Sequence, residues 1–182
     1  MEYGSVIFDM DGVILNSMSD DAWKYRATEN ALAELGVDQS LGKDVLDSIL
    51  GDDGYAKCVK VCGDVGVDPR KAWNLVAEKT SRARMQQIEQ GSFGLCSDVE
   101  TVLTSLRESK MKMGVISNAP DQAVEMTINH YDLRNYFKFY MGVRSFEDLK
   151  ARKPHPNHLE LAKFQLKRDP YIYVGDHMSD VE

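Results

Sequence analysis

Residues 5–12 read Ser-Val-Ile-Phe-Asp-Met-Asp-Gly. The run Ser5-Val6-Ile7-Phe8 is too short for a helix, and Asp11-Gly12 closes it with a turn signal, so it reads as a buried strand. Two carboxylates, Asp9 and Asp11, therefore stand just past the carboxyl end of a strand. That is where open parallel α/β sheets keep their ligands.

Working outward, the pattern turns helical from Asp20 to about Leu35, where Ala22, Trp23, Ala27, Ala31 and Leu35 share a face and Gly36 offers a stop. Further helices are predicted at about 41–50, 54–65 and 69–90, the last opened by Asp68-Pro69 and closed by Gly91. After Gly94 strands and helices alternate: helix 98–109, strand Met113–Ile116, helix 120–130, strand Phe139–Met141, helix 155–167 and strand Tyr171–Val174. Such alternation implies right-handed crossovers and a parallel sheet. The simplest architecture is a parallel α/β core, residues 1–18 and 92–182, interrupted after its first strand by a helical insert, 19–91.

The 182 residues suffice for one sizeable core or a small core plus an inserted module. With 29 acidic against 22 basic side chains the net charge is -7, which argues against a general nucleic-acid binder. No apolar run reaches membrane-spanning length and the acidic N-terminus lacks a basic leader, so no membrane partner and a cytoplasmic location are expected. Three cysteines, Cys58, Cys62 and Cys96, fit a reducing compartment better than a disulfide scaffold. Cys58 and Cys62 lie one above the other on a helix and read as small core residues.

Each expected strand ends in polar residues. Asp9 and Asp11 follow the first, Ser117-Asn118 the second, and Asp176 the last, with Asp180 four residues on. Arg152-Lys153-Pro154 precedes the helix at 155. Four carboxylates on one edge repel unless a cation sits among them. Magnesium, which takes a few carboxylates plus phosphate oxygens, suits that set. Asp9 can attack phosphorus to form an acyl phosphate, while Asp11 can protonate the leaving oxygen and then activate water. Ser117 and neighbouring N–H groups, just before a helix start marked by Pro120, could hold phosphoryl oxygens. Lys153 would neutralise nucleophile and phosphate together. Taken singly, each has an ordinary reading: Asp9 and Asp11 as loop caps, Ser117-Asn118 as a helix cap, Lys153 as a solvated surface charge.

FDMDGVIL, ISN, RKPHP and VGDHMSD, in this order and spacing, resemble the four motifs of the haloacid dehalogenase superfamily of phosphohydrolases. The resemblance covers essentially the whole chain, and the helical insert resembles that superfamily's first type of cap. It implies a Rossmann-like α/β core with an inserted helical cap domain. Asp9 becomes the nucleophile, Asp11 the general acid/base, Ser117 and Asn118 the phosphate binders and Lys153 the charge stabiliser. Mg²⁺ would be held by Asp9, the Asp11 backbone carbonyl and Asp176, with Asp180 supporting the site. In many relatives the bond matching Lys153-Pro154 is cis. The expected reaction is hydrolysis of a small phosphorylated metabolite. The alternatives are a phosphomutase of the same superfamily or a weakly active binding protein on the same scaffold.

The insert is expected to select substrate. The Gly51–Tyr55 turn could reach over the pocket, with Tyr55 and Lys57 as candidate contacts, or it could be a plain helix–helix turn. Trp23 and Trp73 read as the insert's core. His155 and His158 read as surface or cap histidines, and His177, beside Asp176, as a pH sensor or substrate contact set against an ordinary surface residue. The sequence stops at Glu182, two residues past Asp180, where relatives continue with a helix and a strand. A fragment of a longer protein is therefore expected, with Asp180 poorly fixed and Mg²⁺ weakly bound. A dimer paired along the edge strand is the alternative.

Overall fold

The structure, a computed structural model, describes residues 4–17, 21–37 and 40–180, the side chain of Ser179 excepted. Strand β1 (Ser5–Phe8) is buried at every position. It pairs in parallel with β4 (Lys112–Pro120) on one side and β6 (Tyr171–Val174) on the other. With β5 (Phe137–Val143) outside β4, the sheet order is β5-β4-β1-β6. A parallel sheet needs cover on both faces, and the strand alternation divides β1 accordingly. Val6 and Phe8 join Met113, Val115, Val124 and Ile128 on the face covered by α6 (Asp121–His130). Ile7 joins Ile116, Met141, Ala162 and Leu166 on the face covered by α7 (Asn157–Leu166). Helix α5 (Val99–Glu108) precedes β4.

Between β1 and β4 the chain makes four helices: α1 (Ala22–Glu34), α2 (Lys43–Leu50), α3 (Tyr55–Asp64) and α4 (Pro69–Glu89). The Asp68 side chain accepts from the Lys71 N–H and Pro69 sits at the first position of α4, so the helix starts where capping rules put it. The insert has its own core, including Leu32, Leu46, Ile49, Cys58, Cys62, Ala72, Trp73 and Val76. Val143 at the end of β5, with Phe146 and Leu149 beyond it, completes that core and seats the insert on the sheet's carboxyl edge. Cys58 and Cys62 are both buried and free.

The elements match the sequence expectation, with differences at their edges. Met113–Ile116 is the middle of a nine-residue strand, because pairing with β5 resumes at Pro120–Val143 past an irregularity. Ser117 and Asn118 therefore lie within β4 and not after it. A two-residue pair, β2 (Leu15–Asn16) with β3 (Gly94–Leu95), was not foreseen: two residues carry no periodicity. It joins the outgoing and returning chains at the base of the insert. The start of the first helix at Asp20 and the boundary at 18/19 fall outside the described residues, as do Val181 and Glu182. Trp23 packs edge-on against Phe93, at 5.7 Å, in the sheet's cluster and not in the insert's core. His158 is 3% exposed rather than a surface residue, and neither ring nitrogen has a hydrogen-bond partner. Burial lowers its pKa, which favours the neutral ring. His155 is exposed, and its Nδ1 accepts from the Asn157 N–H at 3.3 Å, as a cap would. Among the described residues no helix is long and apolar enough to cross a membrane.

Candidate active site

Asp9 begins where β1 ends. Its N–H donates to the Val174 carbonyl at 2.8 Å, continuing the ladder, and its Oδ1 accepts from the Met10 N–H at 2.7 Å. The Lys153 ammonium stands 3.0 Å from the same oxygen. Burial raises the Asp9 pKa to about 6, more than the lysine and the Met10 N–H can offset. Negative charge at Asp9 is thus left under-compensated by the protein alone.

Lys153 is 8% exposed, and its Nζ also contacts Asp180 Oδ1 at 2.6 Å and the Tyr173 hydroxyl at 2.9 Å. The Lys153-Pro154 bond is cis. Asn118 holds the lysine's backbone from both ends: its amide donates to the Lys153 carbonyl at 3.0 Å and accepts from the Lys153 N–H at 2.9 Å. Asn118 was expected to bind phosphate; here its side chain is committed to fixing the lysine loop. Ser117 is buried, and its Oγ accepts from the Ala119 N–H at 3.1 Å, which leaves its own proton to donate.

Asp180 was expected to be poorly fixed, yet it has three partners. Besides Lys153, it accepts from Tyr173 at 3.0 Å and from the His177 N–H at 3.0 Å. Burial alone would raise its pKa, but these donors outweigh it and hold it below the usual carboxylate value. Tyr173, unforeseen in the sequence, is pushed far up by burial and by Asp9 and Asp180, so it remains a donor. The side chain carrying this hydroxyl comes from β6, where it reads as one more apolar position. His177 is exposed beside Asp176.

Asp9, Asp176 and Asp180 each offer an oxygen, and the three lie within 4.8 Å of one another. Two glycines make room for this approach. A Cβ at Gly12, whose φ is +73°, would stand 1.9 Å from Asp176 Oδ2, and one at Gly175 would stand 2.3 Å from Asp180 Oδ2. All donors are hard oxygens, with one ammonium among three carboxylates. That donor set fits a divalent hard cation such as Mg²⁺.

Asp11 takes a different partner. Arg84 of α4 grips it with two N–H groups, one to Oδ1 and one to Oδ2 at 3.1 Å, and the Ser17 hydroxyl donates to Oδ1 as well. Burial pushes the Asp11 pKa up, but the guanidinium and hydroxyl win and hold it low. The Arg84 contact was not foreseen. Its signal is positional: Trp73, Val76, Ala77, Thr80 and Arg84 recur at helical spacing, so the arginine continues an inward-facing stripe.

A cleft of about 250 Å³ opens between insert and sheet, lined by Asp11, Ser17, Trp23, Arg84 and Asn118 among others. The expected contacts Tyr55 and Lys57 do not line it. Tyr55 packs on Phe146 at 4.8 Å with Lys150 over its ring, and Lys57 pairs with Asp53, four residues before it, at 2.7 Å. The turn before them does reach the cleft, through Leu50 and Asp52.

The sequence matches the model of the haloacid dehalogenase-like hydrolase family over residues 6–182. It is 27% identical over 184 residues to a phosphoglycolate phosphatase of Rhodobacter capsulatus, covering 98% of this chain and 78% of that protein. The fold resembles CbbY from Rhodobacter sphaeroides, solved with phosphate: TM-score 0.73 at 15% identity, covering 98% of this chain and 80% of the other. It also resembles a proposed beta-phosphoglucomutase from Thermotoga maritima, with TM-score 0.61, 19% identity, and 98% and 78% of the two chains covered.

Proposed function

The chain belongs to the haloacid dehalogenase-like hydrolases, and from that premise we propose that it hydrolyses a small phosphomonoester through an aspartyl-phosphate intermediate. The observation that carries this reading is Asp9 paired with Lys153 at 3.0 Å, beside two further carboxylates within 4.8 Å. The Asp9 carboxylate attacks phosphorus, and the bond from phosphorus to the ester oxygen breaks as the acyl phosphate forms. Asp11, which Arg84 holds ionised in the resting site, must first take up a proton from solvent, and it gives that proton to the departing oxygen. It then takes one from the water that cleaves the acyl phosphate, which restores both aspartates. Lys153 and the Ser117 hydroxyl hold the equatorial oxygens. Asp9, Asp176 and the Asp11 carbonyl, with Asp180 in support, would hold Mg²⁺. Bound there, the ion would neutralise the clustered carboxylates and polarise the phosphoryl group.

The resemblance to a phosphoglycolate phosphatase points to a small phosphorylated metabolite, and the cleft volume suits one. Three free cysteines support action in the cytoplasm. A phosphomutase would use both aspartates too and would return an isomer instead of free phosphate. The test is a panel of phosphorylated metabolites with Mg²⁺, read as released phosphate. Turnover of one or more with an acid-stable burst trapped on Asp9 supports the reading; no release from any overturns it.

A further inference from the structure

Arg84 lies on α4, in the insert, and 73 residues separate it from Asp11 in the sequence. It is 7% exposed. Its guanidinium stands 5.6 Å from the Trp23 ring centroid and closes a bidentate pair on Asp11. With Ser17 also donating to Oδ1, the carboxylate that must serve the leaving oxygen is turned to the insert and fully engaged. Two other cations line the same cleft, each held by other acids. Lys24 pairs with Asp21 at 3.3 Å and with Asp52 at 3.7 Å, and Arg152 pairs with Asp52 at 3.2 Å and also donates to the Gly51 carbonyl. Of these three cations lining the cleft, Arg84 is the one paired with a residue of the proposed chemistry.

The cleft and the reacting centre are adjacent but distinct. Asp11 and Asn118 line the cleft, whereas Asp9, Ser117 and Lys153 do not. A phosphoryl group at Asp9 thus leaves the rest of the substrate in the cleft, against Arg84. Pulling Asp11 away would strand a buried guanidinium without a counter-charge, which is strongly unfavourable. A substrate whose far end is neutral offers no replacement. One whose far end is anionic exchanges its own oxygens for those of Asp11 at little cost, because planar bidentate pairing is what the guanidinium favours.

We propose that Arg84 is a latch on Asp11 opened by a second anionic group of the substrate, a carboxylate or a second phosphate. The enzyme then selects phosphomonoesters whose leaving group is itself anionic. This rests on the phosphatase reading above and adds a substrate class and a residue that enforces it.

The test has a kinetic and a binding arm. With Mg²⁺, wild-type kcat/KM should be at least about 30-fold higher for phosphoglycolate than for ethyl phosphate, the scale of a buried charge pair made or lost. Arg84→Gln should lower the rate on phosphoglycolate and raise it on ethyl phosphate, since the latch is gone. Arg84→Lys, which keeps the charge without the fork, should fall between. A wild-type enzyme indifferent between the two esters overturns the proposal. So does an Arg84→Gln enzyme whose ethyl phosphate rate falls or stays the same.

The binding arm uses unreactive phosphonates and needs neither turnover nor a variant. By calorimetry on the wild-type protein, 3-phosphonopropionate or propane-1,3-bisphosphonate should bind at least about tenfold tighter than propylphosphonate. Whichever of the two ligands with a second anionic group binds tighter identifies the carboxylate or the phosphate as the natural group. Equal affinities for all three overturn the latch. If no ester is hydrolysed but the preference for ligands with a second anionic group holds and Arg84→Gln abolishes it, the phosphatase reading falls and the anion site stands.

Discussion

Asn118 and Lys153 are joined by two reciprocal hydrogen bonds, side-chain amide to backbone, at 3.0 and 2.9 Å. The pair ties the end of β4 to the loop that presents the ammonium to Asp9. Asn118→Ala should therefore misplace Lys153 without touching the reacting atoms. The expected outcome is a fall in kcat of about 10- to 100-fold, the scale of a misplaced catalytic group, with KM little changed. Steady-state kinetics at saturating Mg²⁺ check it. A variant with normal kcat would mean that the lysine is fixed by Asp180 and Tyr173 alone.

Asp9→Asn should abolish turnover, because an amide neither attacks phosphorus nor carries the charge a cation needs. Asp11→Asn should slow the proton-transfer steps by roughly 10²–10⁴-fold. Phosphate release from the two variants separates the roles. Near-normal activity of Asp9→Asn would remove the nucleophile from the mechanism.

Activity should need Mg²⁺ and be inhibited by Ca²⁺. Calcium takes more ligands in a looser geometry, which would draw both Asp9 oxygens onto the ion and misalign attack. Assays in excess chelator and with calcium alone check this, and full activity in either would count decisively against the proposed mechanism.

The raised pKa of Asp9 gives the metal-free protein a pH dependence of known sign. The fold binds the Asp9 proton more tightly than the unfolded chain does: its pKa is about 6, against the ordinary aspartate value of 3.8. Its contribution is fully present below about pH 4 and is lost as pH rises through about 6, on the order of 3 kcal/mol in all. The lowered pKa values of Asp11 and Asp180 act in the opposite sense and at lower pH, so the windows separate. Thermal unfolding without metal should show Tm falling between pH 5 and 7.5. Asp9→Asn should flatten that fall, and added Mg²⁺ should reduce it.

The sequence reaches the nucleophile strand, the alternation behind the sheet and the residues at the strand ends because each is a local pattern. Asp9, Ser117, Lys153, Asp176 and Asp180 all stand within a few residues of a strand terminus or a Pro-marked loop. Arg84, Tyr173 and the second role of Asn118 are not local. Each depends on which distant backbone comes alongside, and no spacing within one segment encodes it. Tyr55 and Lys57 were candidate contacts on the strength of a glycine-bracketed turn, set against a plain helix–helix turn. The turn does reach the cleft, but a helix begins at Tyr55 and rotates both side chains onto neighbours of their own.

The short pair β2–β3 gives the insert an unusual tether. Asn16 faces Gly94 and Leu15 faces Leu95, and the Cys96 N–H donates to the Ile14 carbonyl at 2.9 Å. The outgoing and returning threads are thus stitched side by side and do not enter the helices as two independent strings. Helices α1–α4 therefore leave and rejoin the sheet through one paired seam, and Arg84 of α4 comes back to meet Asp11 just past the end of β1.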